Sequence, residues 1–149
     1  MPFLARTNIL LRLAEPGDPD YAIVRSAVDA LVDRDEELCY AAQNLVEFWN
    51  VCTRPVAQNG FGLSTAATDE RARIIEAELR LLPDGDRVHL EWRRLVVRYR
   101  VSGSKVHDAR LVAATLVHGV SNMLTLNDRD FGRYAGISVV HPRAVLASR

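Results

Sequence analysis

A chain of 149 residues, 48% hydrophobic and 26% charged, is long enough to bury a core without disulfides or metal staples, and its balance excludes a disordered segment. Nineteen basic residues against nineteen acidic ones give a formal net charge of zero, which excludes a protein that coats nucleic acid through bulk charge. Any basic surface must be local: all the basic residues but Lys105 are arginine, and Arg87, Arg93, Arg94, Arg98 and Arg100 gather just before that lysine.

From the N-terminus, the first eighteen residues are apolar only in short stretches and meet Arg6 and Arg12, so they suit neither a secretory core nor a membrane span. A cytoplasmic protein is expected. Phe3-Leu4-Ala5 and Ile9-Leu10-Leu11, on either side of Thr7-Asn8, predict a central strand buried on both faces that runs into a polar bend. After the N-cap candidates Asp18 and Asp20, apolar residues at 23, 24, 27, 28, 31 and 32 recur at helical spacing. Residues 38–41 read as a second strand, and a helix from about 42 to 53 is ended by Pro55.

Pro55, Asn59-Gly60 and Gly62 make residues 54–64 a loop, after which Ser64 or Thr65 caps a helix running to about Leu81. A brief strand fits Leu81-Leu82-Pro83. Beyond Asp84-Gly85-Asp86, the residues Val88, Trp92, Leu95, Val96 and Tyr99 share one helical face. Another helix covers roughly His107 to His118 with Gly119 as its C-terminal stop, and residues 122–126 and 137–140 read as two more strands. Cys39 and Cys52 lie in apolar segments and read as buried thiols. No stretch has the composition of a linker, so one domain over residues 1–149 is expected. Strands separated by helices need crossover connections, which build an α/β fold with a mainly parallel sheet flanked by helices on both faces.

In such sheets ligands bind beyond the carboxyl ends of the strands. Four places put polar or acidic residues there: Arg6-Thr7-Asn8, Glu47 on the helix after the second strand, Asp108 in KVHDARLVAA, and Thr125, Asn127, Asp128 and Asp130 in TLNDRDF. Glu47 shares the side of its helix with Asn44 and Val51, opposite the apolar stripe of Leu45, Phe48, Trp49 and Cys52. Each acid alone has an ordinary reading as solvated surface, and Asp108 as a residue favoured by the helix dipole. Together they form the oxygen-rich set that a Mg²⁺ or Mn²⁺ site requires.

FLARTNILLR, AAQNLVEFWNVCTRP followed by NGFGLS, KVHDARLVAA and MLTLNDRDF stand in the order and spacing of a known family. The chain resembles the PIN-domain ribonucleases, in particular the VapC-type toxins of bacterial toxin–antitoxin pairs, and the resemblance covers nearly its whole length. It implies a PIN-like parallel sheet, a homodimer, an antitoxin partner, and endoribonuclease action on RNA with Mg²⁺ or Mn²⁺. By position, Glu47 and Asp108 match the second and third metal-binding acids of the family. Asn127 and Asp130 match its polar and acidic positions after the fourth strand, with Asp128 less involved, and Thr7 and Asn8 match the pair that braces the first acid.

That first acid is absent, because Arg6 stands where the family has aspartate. The change moves local charge by two units. At about 4 Å and an effective dielectric near 20, a guanidinium meets a carboxylate with roughly 4 kcal/mol of Coulomb energy before desolvation. Arg6 is therefore expected to pair with Glu47 or Asp108, to occupy the place of the metal, and to leave a weak or inactive enzyme. A second expectation is a catalytically silent PIN fold that binds an antitoxin, RNA or itself. The arginines flanking the stripe of the helix near residues 87–100 read as its solvated face; the alternative is an RNA-facing edge including Arg93, Arg94, Arg98 and Lys105.

Overall fold

A computed structural model describes residues 1–127, 129 and 131–148. Among the described residues five parallel strands, β1 (Phe3–Ala5), β2 (Leu38–Ala41), β3 (Arg80–Leu82), β4 (Asn122–Leu124) and β5 (Ser138–Val140), stand in the order β3-β2-β1-β4-β5. β1 is central, as its two-sided burial implied: Leu4 pairs with Cys39 on one side and Met123 on the other. Crossovers are made by α1 (Thr7–Leu13) and α2 (Tyr21–Asp33) before β2, then α3 (Ala42–Thr53) and α4 (Thr65–Glu78) before β3. α5 (Asp86–Arg98) and α6 (Lys105–Val117) precede β4, and α7 (Pro142–Ala147) follows β5.

Strand alternation sorts the core into two layers. Ala5, Tyr40 and Leu124 face one side, where α1, α2, α3, α4 and α7 contribute Ile9, Val28, Phe48, Ile75 and Val145. Leu4, Cys39, Ala41 and Met123 face the other, against Val88 and Leu95 of α5 and Val112 of α6. Both cysteines are free and buried, and burial pushes each thiol up to about 11, so neither is a thiolate at neutral pH. Among the described residues no helix is long and apolar enough to cross a membrane.

Several boundaries differ from the sequence reading. The apolar run Ile9–Leu11 belongs to α1 and not to the first strand; Ile9, Leu10, Leu11 and Leu13 are all buried, so a helix enclosed nearly all round looks locally like a buried strand. α4 stops at Glu78, β4 at Leu124, and α6 begins at Lys105. α7 was not anticipated; it starts with Pro142 at its first position and the His141 Nδ1 accepting from the amide of Arg143.

Candidate functional site

The parallel sheet brings the ends of β1, β2 and β4 to one edge, and the loops and helices leaving them meet there. At the end of β1, Arg6 is still extended, its amide donating to the Leu124 carbonyl, while its own carbonyl accepts the first bonds of α1. Thr7 and Asn8 consequently project at the head of α1 in fixed positions. The Thr7 hydroxyl donates to Glu47 Oε2 at 2.9 Å and accepts from Asn44 Nδ2 at 3.2 Å. Asn44 is fully buried, not open to the cleft beside Glu47; its Oδ1 caps α3 by accepting from the Ala41 amide at 2.8 Å.

Asn8 ties α1 to the turn after β4. Its Nδ2 donates to the buried Thr125 Oγ1 at 3.0 Å and its Oδ1 accepts from the Leu126 amide at 3.3 Å. Thr125 Oγ1 in turn accepts from the Asn127 amide at 3.1 Å, which fixes Asn127 at the mouth. Arg6, Thr7, Asn8, Leu11, Glu47 and Asn127 line one open pocket of about 340 Å³. Asp130 and Asp128 lie outside the described residues.

Asp108, in the first turn of α6, approaches from the other layer. Its Oδ1 lies 3.5 Å from Arg6 Nη2 and its Oδ2 3.8 Å from Lys105 Nζ, with the side chains of Arg6 and Asp108 only 19% and 22% exposed. The Arg6 guanidinium also lies over the Phe131 ring at 4.8 Å, an arrangement in which the π-face favours the cation. Of the two acids expected to meet Arg6, Asp108 does so.

Glu47 has a further partner that the sequence did not suggest. Gln43, one turn earlier on α3, donates from Nε2 to Glu47 Oε1 and to the His107 carbonyl, both at 2.8 Å. Its Oε1 accepts from Arg110 Nη1 at 3.2 Å, and Arg110 Nη2 reaches Asp84 after β3 at 3.0 Å. A polar chain therefore runs from the acidic pocket along the sheet edge to the end of β3. Gln43 precedes Glu47 by four residues, the one sequence signal that could have found it.

Among the described residues, the side chains at this edge are arranged around a cation of the chain itself and do not form a ready set of metal ligands. A guanidinium stands against Asp108, each oxygen of Glu47 accepts a hydrogen bond, and among the described residues no three His, Cys, Asp or Glu side chains come together as metal ligands. Residues 7–137 match the model of the PIN domain. The chain belongs to the PIN domain family. The match begins one residue after Arg6.

Similar PIN-fold structures include VapBC2 from Rickettsia felis bound to a promoter DNA fragment, with a TM-score of 0.69 at 12% identity over 95% of this chain and 98% of that one. VapC20 of Mycobacterium tuberculosis, a sarcin-ricin loop cleaving toxin, gives 0.61 at 16% identity over 91% and 98%. DNA-bound VapBC from Salmonella typhimurium gives 0.65 at 16% over 95% and 98%. At these identities the likeness is one of fold. A search of curated proteins found no match.

The other candidate residues fall on α5 and its exit. Arg93, Arg94 and Arg98 are exposed; Arg94 pairs with Glu91 and Arg98 stacks over Tyr99 at 5.4 Å. Lys105 comes within 3.8 Å of the Asp108 carboxylate. A larger concavity, about 600 Å³, lies away from this edge against α3 and α4, where Tyr40, Leu45, Val46, Trp49 and Leu81 make it mostly apolar. Glu76 is the acid in its lining, against the pair Glu47 and Asp108 that lie beside Arg6 at the sheet edge.

Proposed function

We propose that the chain is a VapC-type toxin scaffold: an endoribonuclease of a toxin–antitoxin pair whose metal site is closed, as written, by Arg6. The observation that carries this reading is the convergence of Glu47, Asp108 and Asn127 on Arg6 at the carboxyl edge of a PIN sheet. Membership of the PIN family supports nuclease ancestry, and the toxin–antitoxin complexes among the similar structures support an antitoxin partner. In the active form of such a site, Mg²⁺ or Mn²⁺ would neutralise the scissile phosphate and lower the pKa of a water.

In this chain the residues themselves do less. Thr7 and Gln43 hold the Glu47 carboxylate open-faced towards the pocket, Asn8 and Thr125 hold Asn127, and Arg6 neutralises Asp108. No hydrolytic step follows from that arrangement. The Arg6–Asp108 contact favours a second reading, a catalytically silent PIN protein that binds an antitoxin, RNA or a second copy of itself in a cytoplasmic homodimer. An antitoxin would present a cation to the acids, and Arg6 would compete with it.

Arg6→Asp separates the two. The variant and the native chain are incubated with RNA and Mn²⁺, and Mn²⁺ binding is titrated calorimetrically. Metal-dependent cleavage and tight binding gained only by the variant support the toxin scaffold. A correctly folded variant that gains neither overturns it in favour of the silent protein.

A further inference from the structure

A second concavity lies on the same edge of the sheet, beyond the carboxyl end of β3. It measures about 250 Å³ and is lined by Gly85, Val88, His89, Trp92 and Arg110. Pockets for drug-sized ligands span roughly 300–1,000 Å³, so this one suits a single planar ring system. Its walls are aromatic: the rings of His89 and Trp92 lie 6.1 Å apart and inclined by 39°. They are too close to admit a ring between them, so a guest must stack on one face. Trp92 is held for this, because its Nε1 donates to the Val106 carbonyl at 2.9 Å. A side chain built on Gly85 would meet nothing within 4 Å, so the rim is open.

Charge selects among flat guests. Arg110 contributes donors, and Asp84 at 3.0 Å offsets part of its charge, so the pocket offers hydrogen bonds with a weaker positive field than a phosphate site built on an unpaired arginine. A neutral heteroaromatic ring with acceptor atoms fits both properties. The pocket also communicates with the acidic site, since Arg110 bonds Gln43 and Gln43 bonds Glu47. β3 is two strands from β1 in the sheet, a separation of about 10 Å at the base of the two pockets.

We infer that the His89–Trp92–Arg110 pocket is a nucleobase subsite, which takes one unpaired base of a single-stranded RNA whose backbone crosses the acidic site. This rests on the RNA-directed reading above. It moves the RNA-facing part of α5 from Arg93, Arg94 and Arg98 to the helix's first half, where the aromatic face is. Stacking on an aromatic side chain is tolerant of base identity and contributes substantially to single-strand affinity.

The native chain, with Arg6 in place, is titrated with fluorescently labelled hexa-adenylate RNA, and anisotropy gives the affinity. Trp92→Leu should weaken binding about tenfold and the exposed His89→Ala about threefold, while Trp92→Phe, which keeps a stacking ring, should retain most of the affinity. In a Trp49→Phe background the same RNA should quench Trp92 emission, a readout independent of whether Trp92→Leu folds well. RNA that binds with no quench, and with unchanged affinity for His89→Ala and Trp92→Leu, overturns the base subsite while leaving the nuclease scaffold standing. No binding of RNA by the native chain overturns the subsite too, and whether the scaffold reading falls with it is read separately, from cleavage by Arg6→Asp.

Discussion

The two acids of the site are held by opposite means. Glu47 is fixed by neutral donors, Thr7 and Gln43, one on each oxygen, whereas Asp108 faces the cations Arg6 and Lys105. Hydrogen bonds from neutral groups orient a carboxylate and leave its charge in place; a guanidinium removes the charge that would attract a metal ion. One half of the site is therefore preorganised and the other is compensated. Arg6, at the end of β1, makes the nearer of the two cationic contacts with Asp108, at 3.5 Å against 3.8 Å for Lys105.

The contrast breaks most sharply at residue 6. Arg6→Asp removes the compensating cation and adds an oxygen ligand, so Mn²⁺ affinity should rise by about 100-fold, measured by calorimetry, given the roughly 4 kcal/mol of gross Coulomb energy at stake. Within that variant, Asp108→Ala should return Mn²⁺ affinity to the native level and abolish RNA cleavage. Glu47→Gln should weaken both by about tenfold, because it keeps the hydrogen-bonding shape and loses the charge. Equal effects of the two changes would erase the distinction between the halves.

The neutral half is tested through stability. Thr7→Val deletes the hydroxyl that donates to Glu47 and accepts from the buried Asn44, so urea denaturation of the otherwise native chain should show a loss of about 1–2 kcal/mol. Arg6→Met should cost less, because the Asp108 carboxylate it leaves behind is partly exposed and still faces Lys105. The smallest effect is expected at a pair remote from the pocket. Arg71 donates to Glu15 and holds its carboxyl below the usual range, against a smaller opposing effect of burial. A lowered carboxylate pKa contributes stability above its unfolded value near 4.5, and that contribution is lost as pH falls through the lower folded value. Glu15→Gln should therefore cost about 0.5 kcal/mol at pH 7 and converge with the native chain as pH falls through the lowered folded value, as seen in acid denaturation curves.

Much of this molecule was legible in its sequence, for physical reasons specific to each part. β2 and α3 were bounded correctly because the apolar run at 38–41 changes to helical spacing and Pro55 sets a limit. Ser64 caps α4 through its side chain, which accepts from the amide of Ala67 at 3.1 Å. α1 was misread because periodicity fails where every face is buried. Motif order named Arg6, Glu47, Asp108 and Asn127, which the fold brings to one edge, and Asp130, which lies outside the described residues; Gln43, Arg110 and Phe131 were named by no motif. Gln43 and Arg110 are 67 residues apart, and only the adjacency of α3 and α6 at the sheet edge makes them neighbours. Which oxygen each donor would choose is likewise a property of packing, invisible in spacing.

The central place of β1 has a consequence for synthesis. Ala5 stands in register with Leu124, so the strand that leads into Arg6 gains this neighbour only once the chain has been made as far as Leu124. Loop closure over such a span is slow and entropically costly, and parallel pairing cannot begin locally. The pocket around Arg6, Glu47 and Asn127 therefore waits for a pairing made across more than a hundred residues. On the ribosome, the segment that precedes β4 is made without an assembled site.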